Sequence, residues 1–175
     1  MPPPLRSAAR LEISYRPARE DELDFLGAVY ASTRTEEVAQ AGWPPEMEQA
    51  FFKQQHEAQH AHYASVYPDA ERLVIERGGE RVGRLYLQEW TGNVRIVDIA
   101  LLPPFRGAGI GEAIVRDIGE DAFARGMKVS IHVEIFNPAK RLYERLGFVP
   151  VEDKGVYQLM EWSAPGAGAG SDAAA

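Results

Sequence analysis

A turn dense in glycine carries the clearest chemical signal in this sequence. The run from Arg106 to Gly111 reads Arg-Gly-Ala-Gly-Ile-Gly, follows an apolar stretch typical of a buried strand, and opens an amphipathic stretch typical of a helix. Glycines allow a tight turn, and because they lack a Cβ they let backbone N–H groups come close to a ligand. Those donors, the positive end of the helix dipole and the Arg106 cation together predict an anion site, most naturally for a pyrophosphate.

Two familiar phosphate-binding motifs do not fit this turn. A dinucleotide-binding fingerprint, G-x-G-x-x-G, needs its third glycine where Glu112 stands. A P-loop ends in Gly-Lys-Ser/Thr, and Ile110-Gly111-Glu112 supplies neither lysine nor hydroxyl. What remains is Arg-x-x-Gly-x-Gly after a strand ending in Leu-x-Pro. The alternative is a glycine-rich connection that binds no ligand. It is less favoured because a turn alone needs only one or two glycines, and this one has three.

A second segment with a legible pattern runs from Asn137 to Phe148 and reads Asn-Pro-Ala-Lys-Arg-Leu-Tyr-Glu-Arg-Leu-Gly-Phe. Asn137 is suited to cap a helix, and Pro138 fits the first helical position. Gly147 stands where a left-handed residue ends a helix. The segment therefore predicts a short helix over 138–146 that carries Tyr143.

Together, the two segments resemble the GCN5-related N-acetyltransferases (GNAT), a family that moves acetyl groups from acetyl-CoA to amines. The resemblance covers roughly residues 11–162. It implies an α/β (α+β) fold, with a mixed, mostly antiparallel sheet flanked by helices and a parallel strand pair that splays apart around the pantetheine arm. One departure stands out, because family members usually have seven steps from the asparagine to the tyrosine and this chain has six. Either Asn137 is displaced or the strand before it bulges.

The resemblance also assigns roles to individual residues. Backbone groups of the strand ending at Leu101 would bind the acyl carbonyl and pantetheine, and Tyr143 would protonate the leaving thiolate. A tyrosine that is merely packed on the short helix is the alternative for Tyr143. The residues expected to bind acetyl-CoA are Ile99, Ala100, Leu101, Arg106, Gly107, Ala108, Gly109, Ile110, Gly111, Glu112, Asn137 and Tyr143.

The general base is harder to assign. In the predicted strand 128–135, apolar residues alternate with polar ones, so His132 and Glu134 share one face. Counted back from Asn137, His132 falls where some family members place a catalytic glutamate, and histidine titrates near neutral pH. His132 is therefore the expected base. Asp98 on the preceding strand and a chain of water molecules are the alternatives.

The two helices expected near the start of the chain supply the predicted acceptor wall. In the family, the segment between these helices lines the acceptor site, which makes four residues candidates for substrate contact: Tyr30, Arg34, Trp43 and Phe51. Three histidines at 56, 60 and 62 invite a metal interpretation, but no third ligand is in register on the helix. We therefore expect a solvated histidine face and no metal.

Periodicity predicts the elements that must position these residues. The expected strands are 11–16, 72–78, 81–90, 94–102, 128–135, 148–152 and 156–162, and the expected helices are 22–33, 46–66, 109–125 and 138–146. Strands 94–102 and 128–135 flank a helix and should be parallel neighbours. The other pairings should mostly be hairpins, including one that turns at Gly78-Gly79.

Composition is that of an ordinary single domain. The chain has 175 residues, 45% of them hydrophobic and 26% charged. The absence of cysteine excludes disulfides, a thiolate nucleophile and cysteine-ligated zinc, and fits a cytoplasmic location. A formal net charge of −7 argues against nucleic acid as a partner and is compatible with a cationic acceptor. No apolar run reaches membrane-spanning length, so no membrane is expected, and a homodimer is left open.

The ends of the chain are expected to lie outside the folded domain. Residues 1–10 should form a flexible N-terminus, residues 11–162 the N-acetyltransferase domain, and residues 163–175, rich in alanine and glycine, a disordered tail. The predicted activity is direct transfer of acetyl from acetyl-CoA to a primary amine on a small molecule, a peptide N-terminus or a lysine. A non-catalytic acyl-CoA sensor is one alternative. A nucleotide-binding oxidoreductase is another, and the missing third glycine counts against it.

Overall fold

The computed structural model describes residues 1–166, which form one seven-stranded sheet with helices on both faces. The strands are β1 (Ile13–Pro17), β2 (Glu71–Arg77), β3 (Glu80–Trp90), β4 (Asn93–Leu101), β5 (Lys128–Glu134), β6 (Val149–Lys154) and β7 (Tyr157–Trp162). The helices are α1 (Leu23–Ala39), α2 (Pro45–Val66), α3 (Ile110–Ala124) and α4 (Lys140–Leu146). The spatial order of the strands is β1-β2-β3-β4-β5-β7-β6. No helix in this part of the chain is both long and apolar enough to cross a membrane.

The only parallel pair in the described sheet, β4 with β5, separates partway along its length. Pairing runs from Asn93 opposite Lys128 to Ile96 opposite Ile131, and then stops. Both strands continue beyond that point, β4 as far as Leu101. The two strands therefore form a V-shaped cleft that begins after Ile96. The expected parallel neighbours and their splay are both confirmed.

Each face of the sheet is covered by a different pair of helices. Below the sheet, the apolar stripe of α3 packs with Ile96 and Ile131 in one continuous core. Above it, α1 and α2 lie over the strands that precede the cleft, where Tyr63 of α2 stacks edge-on against Tyr86 of β3 at 6.1 Å. A bulge at Val97 shifts the register of β4 against β3. The side chains of β4 and β5 that lie on the face covered by α1 and α2 border the V-shaped cleft.

Two helix boundaries differ from those expected from the sequence. Helix α1 continues to Ala39 instead of ending near residue 33, because a polar extension held by an Arg34–Glu37 pair follows its apolar part. Helix α4 begins at Lys140, since Asn137 caps a preceding turn by accepting a hydrogen bond from the Ala139 N–H at 2.9 Å. Gly147 ends α4 in the left-handed region as expected, with φ 114°.

The N-terminal segment, for which we expected flexibility, is attached to α3. The backbone N–H groups of Arg6, Ser7 and Ala8 donate to the Asp117 carboxylate at 2.8–3.0 Å. Asp117 is fully buried, and so is Ala8. A buried carboxylate needs such donors, so the last part of the segment completes the environment of α3. Most of the predicted disordered tail, residues 167–175, lies outside the described residues.

Candidate active site

The connection between β4 and α3 presents unused backbone donors. After a 3-10 turn at Pro103–Phe105, Gly107 and Gly109 take left-handed φ values of 75° and 80°. Within the described residues, the N–H groups of Gly107, Ala108 and Gly109 donate to no acceptor. The first N–H groups of α3 follow directly and point the same way along the helix axis. The loop therefore has the geometry of an anion site at a helix start.

Gly111 is a glycine that neither φ nor packing within the described residues requires. It lies in the first turn of α3 with an ordinary helical backbone, and a Cβ built on it would meet nothing within 4 Å. Glycine costs about 1 kcal/mol relative to alanine in a helix. Open space beside a costly glycine fits a position that a ligand approaches closely.

The charged side chains around this loop are arranged differently from the expectation. Arg106 donates from Nε to the Leu101 carbonyl at 2.8 Å and from Nη2 to Ser32 Oγ at 2.9 Å. It therefore fastens the loop to α1 instead of lying free above the loop amides. Glu112 accepts hydrogen bonds from Arg145 and Arg116, at 2.9 and 3.0 Å, and these hold its pKa below the usual value.

The structure therefore adds two cations, Arg116 and Arg145, beside the first turn of α3. Neither was expected from the sequence. Only the helical spacing of Glu112 and Arg116 could have indicated one of them.

One edge of the splayed part of β4 is free to bind a substrate. Ile99 and Ala100 pair with β3 through Leu85 and Arg84, while the pairing with β5 has already ended. Backbone groups on the edge that faces β5 thus lack strand partners. The Leu101 carbonyl is the exception, because Arg106 occupies it.

Tyr143 is held at the cleft by the packing of its ring. It is 6% exposed, and its ring lies edge-on to Phe148 at 5.6 Å. Burial raises the pKa of its phenol, and the Asp98 carboxylate raises it further. Tyr143 is therefore neutral at physiological pH and able to donate a proton.

Asp98 lies on β4 just past the point where the strands separate. Its Oδ2 accepts a hydrogen bond from Arg84 at 2.6 Å and another from the Tyr63 hydroxyl at 3.3 Å. Arg84 is only 2% exposed and is also held by Gln59 at 2.8 Å. Both bonds to Asp98 go to the same oxygen, so Oδ1 is left for another partner.

His132 occupies the expected face of β5 but has little capacity to accept a proton. Its Nδ1 lies 3.1 Å from Arg95 Nη1, which can only donate, so the ring hydrogen belongs on Nε2. Burial and the neighbouring Arg95 lower the pKa of the ring. With its lone pair engaged, His132 is less suited to act as the general base than Asp98.

The expected acceptor residues do not all meet at the cleft. Arg34 reaches Glu134 at the end of β5, at 2.9 Å. Tyr30 is buried beneath α2, with its ring 5.8 Å from that of His56. Trp43 and Phe51 pack edge-on against each other at 5.2 Å, where α2 begins.

Asn137 lines an open cavity of about 580 Å³ with Phe136, Lys140 and Arg141, and its side chain is used to cap the turn. This cavity lies in the connection between β5 and α4. No group of three histidine, aspartate or glutamate side chains within residues 1–166 is arranged to hold a metal ion.

Similarity to known proteins was found at the level of sequence and of structure. The sequence profile described as "Acetyltransferase (GNAT) family" matches residues 29–148. A Bacillus subtilis (strain 168) protein provisionally named ribosomal protein bS18-alanine N-acetyltransferase is 26% identical over 164 residues, which are 87% of this chain and 96% of that protein. Mycothiol acetyltransferase of Corynebacterium glutamicum (strain R) is 33% identical over 106 residues, 59% of this chain and 36% of that protein.

Solved structures share the fold at low sequence identity. The PaiA N-acetyltransferase of Thermoplasma acidophilum, in complex with coenzyme A, superposes with a TM-score of 0.63 at 15% identity, covering 85% of this chain and 97% of that one. An acetyltransferase from Thermus thermophilus gives a TM-score of 0.61 at 19% identity, covering 87% and 97%. The profile matches well over half of the chain, and its two motifs frame the cleft described above. This chain therefore belongs to the GNAT family of acetyltransferases and is an acetyl-CoA-dependent N-acetyltransferase.

Proposed function

We propose that this acetyltransferase transfers acetyl directly to a primary amine while both substrates are bound in the cleft between β4 and β5. The observation that carries the proposal is the layout of that cleft. The glycine loop follows one diverging strand, and the Asp98 carboxylate on that strand is near enough to Tyr143 to contribute to the raised pKa of its phenol. One region thus offers an anion site, a proton donor and a carboxylate.

In this proposal the pyrophosphate of acetyl-CoA binds the free N–H groups of Gly107 to Gly111, aided by the α3 dipole and by the cations Arg116 and Arg145. Arg106 fixes the loop against α1. The pantetheine arm lies along the free edge of β4 beside Ile99 and Ala100. The cavity beside Asn137, in the connection between β5 and α4, is the proposed boundary of the CoA site on the α4 side.

The reaction then needs two proton transfers. The amine attacks the thioester carbonyl, and the C–N bond forms as the C–S bond breaks. Tyr143 gives its phenolic proton to the departing sulfur, and Asp98 accepts a proton from the amine through Oδ1. Proton exchange with water returns both residues to their starting state. Asp98 replaces His132 as our candidate base because Arg95 engages the His132 lone pair.

The acceptor is proposed to be a primary amine on a small molecule, a peptide N-terminus or a lysine. The names of two relatives support acceptors of more than one size, since one refers to an alanine of a ribosomal protein and the other to mycothiol. A cytoplasmic location is proposed on the ground that the sequence contains no cysteine. The net charge of −7 supports a site that does not serve nucleic acid.

Release of free CoA thiol tests this function directly. The chain has no cysteine, so a thiol reagent reports CoA alone. Purified protein, acetyl-CoA and a panel of primary amines are expected to release thiol in proportion to amide product measured by mass spectrometry. Acetyl-CoA binding in calorimetry without amine-dependent thiol release from any acceptor would favour the non-catalytic sensor instead.

A further inference from the structure

Arg95 of β4 lies on the upper, open face of the sheet, and all of its partners are neutral. Its Nε donates to Ser130 Oγ at 2.8 Å, and its Nη1 lies 3.1 Å from His132 Nδ1 and 3.4 Å from the Tyr67 hydroxyl. Its guanidinium is 5.5 Å from the centre of the Trp90 ring. Nη2 donates to no acceptor in the described part of the chain. The side chain is therefore held in place with one donor edge unused.

Arg95 also differs from the lysines of β5 and β6 on this face. Lys128 pairs with Glu161 at 2.7 Å, and Lys154 is 3.5 Å from Glu152. The carboxylates at the cleft have cations of their own as well, since Asp98 pairs with Arg84 and Glu134 with Arg34. Among residues 1–166, no carboxylate lies within salt-bridge distance of Arg95. Arg72 of β2 also lacks a carboxylate partner within this range, but it lies two strands away from β4, where its Nη1 is 3.5 Å from His60 Nε2 of α2. Arg95 is thus an uncompensated cation beside the cleft.

The position of Arg95 relates this charge to the reaction. Arg95 is opposite Ser130, one residue before the point at which β4 and β5 separate. Asp98 follows three residues later on β4, on the same upper face. At about 3.3 Å per strand residue, the two positions are about 10 Å apart along the strand. An acceptor bound at Asp98 can therefore extend back over Arg95.

We propose that Arg95, held by Ser130 and His132, forms an acceptor subsite for a carboxylate, and that the preferred acceptor is a small primary amine that carries a carboxylate several bonds away. The inference rests on the proposed function, because it places the amine at Asp98. One uncompensated guanidinium balances one negative charge, which fits a carboxylate better than a phosphate dianion. The spacing of the two backbone positions along β4 favours an acceptor whose amine and carboxylate stand on different carbons.

A matched pair of acceptors tests the subsite. The compounds 5-aminopentanoate and 5-aminopentanamide have the same length and amine, and they differ in charge at the far end. For the wild-type protein, kcat/KM for the carboxylate is expected to exceed that for the amide by roughly tenfold or more, the usual scale of a charge-assisted hydrogen bond. Calorimetric titration of each compound into CoA-saturated protein measures the same preference without turnover.

Three variants identify the source of the preference. Arg95→Gln removes the charge and is expected to lower the carboxylate-to-amide ratio of kcat/KM to about one. Arg95→Lys keeps the charge but not the planar guanidinium, and is expected to retain part of the preference for the carboxylate. Lys128→Gln removes an equal charge from the same face, where Glu161 already compensates it, and should leave the preference unchanged.

The outcomes separate this inference from the proposed function. Equal kcat/KM and equal binding of the two acceptors by the wild type, including no measurable binding of either, would overturn the carboxylate subsite. The same holds if Lys128→Gln abolishes the preference as fully as Arg95→Gln does. Absence of amine-dependent thiol release across the whole panel would instead overturn the proposed function.

Discussion

The ring and the hydroxyl of Tyr143 have separate roles, which a single substitution can distinguish. Tyr143→Phe keeps the packing on Phe148 and removes the proton donor. We expect kcat to fall by about a hundredfold, the usual scale for losing a positioned acid, with unchanged acetyl-CoA affinity. Tyr15→Phe, in β1 and outside the cleft, is the control and should retain full turnover. Turnover close to wild type in Tyr143→Phe, measured where chemistry limits the rate, would leave Tyr143 with packing alone.

Two candidate bases remain to be compared at the same scale. Asp98→Asn removes the free carboxylate oxygen. With an amine acceptor that carries no carboxylate, it is expected to lower kcat by about a hundredfold. His132→Gln keeps an acceptor for Arg95 and should have a smaller effect on kcat with that acceptor. Because Asp98→Asn also breaks a buried ion pair, the rates are normalised to the fraction of protein that binds CoA. A larger loss in His132→Gln would restore the histidine as the base.

The sequence could indicate Tyr143 and the glycine loop because their signal is local spacing. Asp98 was visible only as an alternative, since the bulge at Val97 decides which face of β4 it occupies. The contact of Arg106 with Ser32 joins residues far apart in the chain and has no local signature. Contacts across the fold, rather than residue types, thus decide which charged groups are free to bind a substrate.

Helix α3 contains two glycines whose substitution should act in opposite directions. Gly111→Ala adds a methyl group in open space and is expected to stabilise the protein by about 0.5–1 kcal/mol while weakening CoA binding. Gly119→Ala would place its Cβ 2.2 Å from the Trp162 ring, and should destabilise by about 1–3 kcal/mol with CoA affinity retained in the folded protein. Denaturant unfolding and calorimetry provide the two measurements. Unchanged CoA affinity in Gly111→Ala would mean that no ligand approaches this turn.

Helix α2 makes stability depend on pH through His56, which is buried, so the expected solvated histidine face is wrong at this position. Burial, with a contribution from Arg84, lowers the pKa of His56 from 6.5 to about 4. Between these values the unfolded chain binds a proton that the folded chain does not, so the free energy of unfolding decreases as pH falls from about 7 to about 5. Between pH 7 and pH 5, the free energy of unfolding of His56→Gln should therefore decrease less than that of the wild type, by at most about 2 kcal/mol. The exposed His62 is the control, and an equal change in His62→Gln would contradict the assignment.

Strong periodicity made most elements predictable, and weak periodicity explains the exceptions. The apolar repeat of α3 and the alternation in β5 gave boundaries within one residue of those observed. The last turns of α1 have little apolar pattern, because Val38 is the one buried apolar residue that they contain. The splay of β4 and β5 came from the family resemblance, because a sequence pattern shows which residues are in strands but not where pairing ends.

At the scale of the whole molecule, net charge is a poor guide to the acceptor. The value of −7 is compatible with a cationic acceptor, yet the open face beside the cleft carries the uncompensated Arg95. Fields near a bound group depend on the charges within about a Debye length, close to 10 Å, rather than on the total. The amine and the proposed carboxylate of an acceptor can therefore both be matched locally on an acidic protein.

The two ends of the chain should differ in their importance for the folded domain. Deleting residues 1–8 removes three N–H donors from the buried Asp117 carboxylate, and hydrogen bonds to a charged group contribute about 1.5–3 kcal/mol each. We expect a loss of several kcal/mol in unfolding free energy. Deleting residues 164–175 removes only alanine, glycine, proline, serine and aspartate, and should leave the melting temperature and acetyl-CoA affinity unchanged.

A second substitution makes the N-terminal prediction specific to Asp117. In the protein lacking residues 1–8, Asp117→Asn replaces an unpaired buried charge with a neutral amide and is expected to recover part of the lost stability. In the full-length chain the same substitution should destabilise, because the amide presents a single acceptor oxygen to three N–H groups. Opposite signs in the two backgrounds would show that the first residues of the chain compensate this carboxylate. Destabilisation by Asp117→Asn in both backgrounds would instead mean that Asp117 depends on α3 alone.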